Sequence, residues 1–317
     1  MAIGFQTFIE GTSYDVLNSM DYNFIVDAFG VGEAGSRSYS YPGFTLSAFM
    51  TATGSSGRTQ ATVSVSGQTV SWSNAGQDAR VYVSANANST LNYFGFCLND
   101  YATGKFKIAP NFTPMNLCQV VDLTPTALQV LRTNVPYGQP IVAFHRAMGG
   151  TEYNHVFFWY VNSGGYWGIR FRDSSIGTPM RATRVYVFSN VLVNAPQYGF
   201  FLYEPGGTNM VWHSNCLPLR MTVGSRDNSP VPLAITGGVS VVRSMPLDPG
   251  YPNGPGVTQS NCYSACQNSN GTWKADGGDL FLTRQYNSGS AGGSGISPPA
   301  YIETNIYDAY YRQSLGY

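Results

Sequence analysis

Arg80-Val81-Tyr82-Val83 returns as Arg184-Val185-Tyr186-Val187, an offset of 104, and the match continues without a gap to Gly95-Phe96 and Gly199-Phe200. Seven of seventeen aligned positions are identical, Asn86 and Asn190 among them. Self-similarity at a fixed offset marks a repeated structural unit, and alternating β-branched and aromatic residues make that unit a strand. A shorter echo begins near the N-terminus. Ile3-Gly4-Phe5, Phe94-Gly95-Phe96 and Tyr198-Gly199-Phe200 each open a segment built as apolar strand, polar turn, apolar strand. The turns are Glu10-Gly11-Thr12-Ser13, Thr103-Gly104 and Pro205-Gly206-Gly207-Thr208-Asn209. Apolar runs on both sides of a Gly-containing turn read as β-hairpins. The Gly before each Phe suggests a bulge or a close backbone approach.

Longer all-β stretches lie between the hairpins. The first runs from Phe44 through Val63-Ser64-Val65 and Val70-Ser71-Trp72 to Val83, and the second from Ile141 through Val156 to Val161 and Trp167 to Phe171, ending at Val187. The third is Leu233 to Ile235, Val239 to Val242 and Leu280 to Leu282. The expectation is an all-β chain of tandem β-sandwich-like modules, each opened by a β-hairpin: 1–92, 93–197 and 198–287. Residues 288–317 read as a Gly/Ser linker followed by an extended, Tyr-rich C-terminal arm, which docks on a neighbouring subunit or packs on its own chain. One helix is expected, over Leu123 to Leu131, with Thr124 as cap and Pro125 in the first turn.

Charged residues are 11% of the 317, against roughly 25% in an average soluble domain, and 17 basic side chains cancel 17 acidic ones. Lysines are limited to Lys105, Lys107 and Lys274. Nucleic acid needs a basic field to release phosphate counterions, so no nucleic-acid partner is expected. The 45 aromatic residues (22 Tyr, 18 Phe, 5 Trp) argue against disorder. The longest strongly apolar run, Val156 to Val161, is six residues where a span needs about 20, so no membrane insertion is expected. Residues 1–10 show no secretory pattern, and cytosolic synthesis is expected.

Five cysteines stand at spacings unlike any zinc ribbon or finger. Cys262 and Cys266 are the pair to watch: unremarkable thiols, a disulfide formed after release from the cell, or part of a metal site. His145 and His155 flank the turn at Gly149-Gly150 but lack a third ligand, so neither metal nor cofactor is expected. No GxSxG, HExxH or GxxxxGK[ST] pattern occurs, and Asp78, Asp100, Asp122, Asp173, Glu204 and Asp279 sit mostly in turns, where acids cap backbone. No enzymatic activity is expected. Tyr153, Trp159, Tyr160, Tyr166 and Trp167 crowd the middle module, and alternation forbids all of them one core. Outward rings suit a subunit interface or a sugar-stacking surface. The candidate contact residues are Tyr153, Trp159, Tyr166 and Trp167, with Tyr301, Tyr307, Tyr310 and Tyr311 in the arm.

The stretch Ile3-Gly4-Phe5-Gln6-Thr7-Phe8, followed after a turn by Val16-Leu17-Asn18-Ser19, resembles the hairpin motif of small structural proteins of bacteriophage tail modules. The copies beginning at Gly95 and Gly199 resemble the same unit. The resemblance covers the three hairpins, about 75 residues. It implies a virion protein of a tail tip, baseplate or tail fibre, made in the host cytoplasm, which oligomerises and assembles with other phage tail proteins. Host attachment through a cell-surface glycan or protein is the alternative, as a lectin-like adhesin. A glycan depolymerase comes third.

Overall fold

Alternation of apolar and polar residues gives each strand two faces, and the fold is set by what covers each face. The computed structural model describes residues 6–19, 24–41, 43–51, 61–75, 79–87, 98–99, 106–109, 113–126, 129–149, 158–171, 181–204, 206–237, 239–246, 256–286 and 299–317. It is predominantly β, in several antiparallel sheets.

The first sandwich begins after a short helix α1 (Val16–Ser19) and contains β1 (Phe24–Gly30), β2 (Gly35–Ser38), β3 (Phe44–Thr51), β4 (Thr62–Ser66), β5 (Thr69–Ser73) and β6 (Arg80–Ala87). Its two sheets have the orders β1-β6-β3 and β2-β5-β4. The β4–β5 hairpin turns at Gly67, whose φ of 58° suits glycine.

A small hairpin, β7 (Leu98–Asn99) with β8 (Phe106–Ile108), precedes the second sandwich. That sandwich has β9 (Asn116–Leu123), β10 (Val130–Pro136), β11 (Ile141–Ala147), β12 (Phe158–Ser163), β13 (Tyr166–Phe171) and β14 (Thr183–Ser189). Strands β9, β14 and β11 are neighbours in one sheet, and β10-β13-β12 is the other. The connectivity therefore repeats strand for strand.

The third hairpin is β15 (Phe201–Tyr203) with β16 (Met210–His213). After it come β17 (Thr222–Val223), β18 (Arg226–Ser229), β19 (Leu233–Thr236), β20 (Val239–Pro246), β21 (Gly256–Gln267), β22 (Trp273–Tyr286) and β23 (Ala300–Glu303). Here β17, β23 and β19 are neighbours, facing β18-β22-β21-β20. The third sandwich thus extends past residue 287, since its closing strand is Ala300–Glu303. Backbone pairing of β11 with β19, Phe144 opposite Thr236 and His145 opposite Ile235, fuses the second and third modules into one six-stranded sheet.

Each sandwich has its own core: Phe44, Leu46, Val81 and Val83 in the first; Ile141, Ala143, Val185 and Val187 in the second; Leu233, Ile235 and Tyr263 in the third. The opposite faces of the repeated sheets are apolar as well. They pool into a fourth core that joins Phe49 and Tyr82, Phe144, Tyr186 and Phe188, and Ala300 and Ile302 with the hairpins. Phe49 and Tyr82 stack at 4.8 Å, worth about 0.5–1.5 kcal/mol beyond burial. The end of β16 and the loop after it, Trp212 to Leu219, run through this core almost without exposure. A buried loop needs partners for its backbone. Leu117 N–H donates to Leu217 O (2.8 Å), Leu219 N–H to Met115 O (2.7 Å) and Tyr307 Oη to Pro218 O (2.9 Å).

Several elements differ from the sequence reading. In the segment expected to be helical, Leu123 ends β9, Val130 and Leu131 begin β10, and Gln129 N–H donates to Thr126 O in a turn. Pairing of Leu131 with Ile169 overrides local helix preference. The first hairpin bridges Phe8 to Asp15, but its second arm then turns into α1. The C-terminal segment is not an extended arm: β23 leads into helix α2 (Asn305–Leu315), which stops at Gly316 in a left-handed conformation (φ 77°). Ile306, Tyr307, Tyr310, Tyr311 and Leu315 form one apolar face of α2 on the fourth core.

Candidate functional site

Strands β10, β13 and β12 form the outer sheet of the second sandwich, and alternation divides the rings that the sequence placed together. Trp167 and Tyr160 turn inward. Trp167 Nε1 donates to Gln139 O (2.8 Å), and the Ala143 N–H donates to Tyr160 Oη (2.8 Å). Burial holds the Tyr160 phenol well above its ordinary pKa. The Arg80 guanidinium lies 4.7 Å from the Trp167 ring and 5.2 Å from that of Tyr160, so this pair joins the first module to the second by cation–π contact.

Tyr166 takes the other face. Arg132 stacks on its ring at 4.3 Å, and among the described residues Arg132 has no carboxylate partner. Gly168 lies between Arg132 and Val161 in register. A Cβ at Gly168 would come within 2.7 Å of Val130 Cγ1 and 3.1 Å of Val161 Cγ2, so the glycine lets these two valines close over β13. Val130 is 40% exposed, and Tyr137, 52% exposed, packs at 4.4 Å from Trp167 at the rim. The result is an outward face of Arg132, Tyr166, Val130 and Val161, edged by Tyr137. Trp159 contributes backbone pairing opposite Arg170. Tyr153 and His155 lie outside the described residues.

The four tyrosines expected in the arm are held by their own chain. Tyr301 and Tyr307 are buried, Tyr310 stacks on Tyr14 at 4.5 Å, and Tyr311 lies under the Arg184 guanidinium at 5.6 Å. Their anchor is Asp308. It accepts from Tyr186 Oη (2.6 Å), Arg184 (2.9 Å), Arg146 (3.1 Å) and Thr304 Oγ1 (2.9 Å). Arg184 also binds Asp122 through both carboxylate oxygens, each at 2.6 Å. Burial alone would raise the Asp308 pKa, but these donors outweigh it and hold the carboxyl below its usual value. The sequence reading missed this cluster. Its signal was the spacing of Ile306, Tyr307, Tyr310, Tyr311 and Leu315, which is helical rather than extended.

No disulfide joins Cys262 to Cys266. Both lie on β21, four residues apart on an extended strand, so their Cα atoms are about 13 Å apart, beyond the roughly 7 Å limit of a bridge. Cys266 is a buried thiol, as are Cys118 and Cys216. Burial pushes the Cys118 and Cys216 thiols up to about 12. His213 Nδ1 lies 3.6 Å from Cys216 Sγ, and burial lowers the imidazole to about 4. A neutral histidine beside a protonated thiol is not an activated nucleophile. His145 is buried in the strand shared by the second and third modules. Among the described residues no three His, Cys, Asp or Glu side chains gather as metal ligands. No helix among them is long and apolar enough to cross a membrane.

No family model, curated protein or solved structure matches the chain.

Proposed function

We propose that the chain is a structural component of a phage tail, at its tip, baseplate or fibre, and that it works by assembling with further copies and with other virion proteins. One observation carries this reading: the outward face of the second module, where Arg132 stacks on Tyr166 beside the exposed Val130 and the rim ring of Tyr137. Arginine and tyrosine are the residues that dominate subunit contacts, because they bring large rigid area and donors together. The acids Asp27, Asp122, Asp308 and Glu303 are in ion pairs that hold the fold, which supports a binding role over catalysis.

The test is light scattering of the eluting full chain, with antibody labelling of purified virions. An oligomer that Arg132→Glu with Tyr166→Ser converts to a folded monomer, and label on the tails, are the expected results. A monomer at all concentrations, or virions without label on their tails, would overturn the proposal.

A further inference from the structure

At the free edge of the six-stranded sheet a small, solvent-open cleft of about 60 Å³ lies between β17 and the start of α2. Arg220, Thr222, Tyr301, Glu303, Ile306 and Tyr307 line it. That is room for a carboxylate and a neighbouring hydroxyl, with the ring that carries them lying across the open mouth.

The sheet register explains how these groups meet. Thr222 pairs with Tyr301, and Glu303 follows two residues along β23, so all three share one face. Arg220 is set by its backbone, whose N–H donates to Tyr307 Oη at 2.8 Å while that hydroxyl donates to Pro218 O. The Arg220 side chain is exposed and has no ion pair or hydrogen bond among the described residues. Glu303, by contrast, pairs through Oε1 with Arg226. The cleft therefore holds one uncompensated guanidinium, one neutralised carboxylate with Oε2 open as an acceptor, one hydroxyl, and the apolar sides of Tyr301 and Ile306.

Each group restricts the ligand. A lone guanidinium selects a carboxylate, which it can bind through two parallel hydrogen bonds. Glu303 and Thr222 then ask for neutral hydroxyl donors, because the Glu303 charge is already matched by Arg226. A phosphate chain would meet the Glu303 carboxylate. A fatty acid would leave Thr222 and Glu303 without partners. Tyr301 and Ile306 suit the apolar face of a sugar ring. We infer that this cleft binds one acidic saccharide unit, its carboxylate on Arg220 and its hydroxyls on Thr222 and Glu303. This goes beyond the assembly reading and does not depend on it.

Calorimetry and saturation-transfer NMR on the full chain test the inference, with D-glucuronic acid and N-acetylneuraminic acid as probes and D-glucose and glycine as controls. At least one acidic sugar is expected to bind with a dissociation constant on the order of 1 mM. Arg220→Gln should weaken it by about tenfold or more, with an unchanged circular dichroism spectrum and elution volume. Thr222→Val should weaken it less. The inference falls if neither acid binds, if glucose or glycine binds as well as the acids, or if Arg220→Gln leaves the affinity intact.

Discussion

The hydroxyl of Tyr186 donates to the carboxylate of Asp308 at 2.6 Å across 122 residues of chain. Tyr186 and Arg184 belong to the repeated strand motif and Asp308 to the last helix, so their hydrogen bonds to it tie the duplicated unit to the C-terminus.

Replacing Asp308 by Asn should cost about 2–3 kcal/mol, because Arg146 would stay mostly buried without its counter-charge and Arg184 would keep only Asp122. Urea unfolding followed by circular dichroism measures it. An unchanged midpoint would mean that α2 is held by its apolar face alone.

Acid should act through the same group. A carboxyl whose folded pKa is depressed stabilises the fold above its unfolded value, about 3.9, and loses that contribution as pH falls through the folded pKa. The Asp308→Asn penalty should therefore be full at pH 7 and shrink below about pH 4. The readout is the difference in urea midpoint between the two proteins across that range.

His213 predicts a second pH window. Its folded pKa is lowered to about 4, so between about 6.5 and 4 the unfolded chain binds the proton more readily and stability falls with pH. His213→Gln should flatten thermal stability across that window. A slope that survives the substitution would assign it to other groups.

Gly199 has the close approach expected of the glycine before phenylalanine. A Cβ there would fall 2.3 Å from Ser214 Oγ and 3.1 Å from Pro196 Cγ. Gly199→Ala should cost about 1–3 kcal/mol by overpacking, and adding Ser214→Gly should restore part of it. Melting curves of the two variants provide the check.

The thiols should be silent in the native protein. Cys118, Cys216 and Cys266 are buried, and the first two are also held protonated. Iodoacetamide at pH 8 followed by mass spectrometry should find these three unmodified, and all of them modified in guanidinium chloride.

Much of the architecture was legible. Val63 to Trp72 and Trp167 to Phe171 alternate clearly enough to read as strands, and the repeat at Arg80 and Arg184 marks the central strand of two equivalent sheets. The aromatic group of the middle module was legible as a group, but not its division: Tyr166 faces out with Arg132, while Trp167 faces in towards Arg80. The cleft was not legible, since Arg220, Thr222 and Glu303 come together only when β23 pairs with β17.

The order of residues alone determined that this chain is β, that a unit is repeated, and that Gly199, before its phenylalanine, marks a bulge or a close approach. Those properties follow from local sterics and a two-residue period. Tertiary structure decided what covers each face. The repeated sheets are apolar on both sides, and alternation cannot say which neighbour supplies the cover. Here one face closes a sandwich and the other joins a shared core. Residues 305–315 became a helix rather than an arm because that core offered Tyr307 an apolar seat and Asp308 its partners on Arg146, Arg184 and Tyr186.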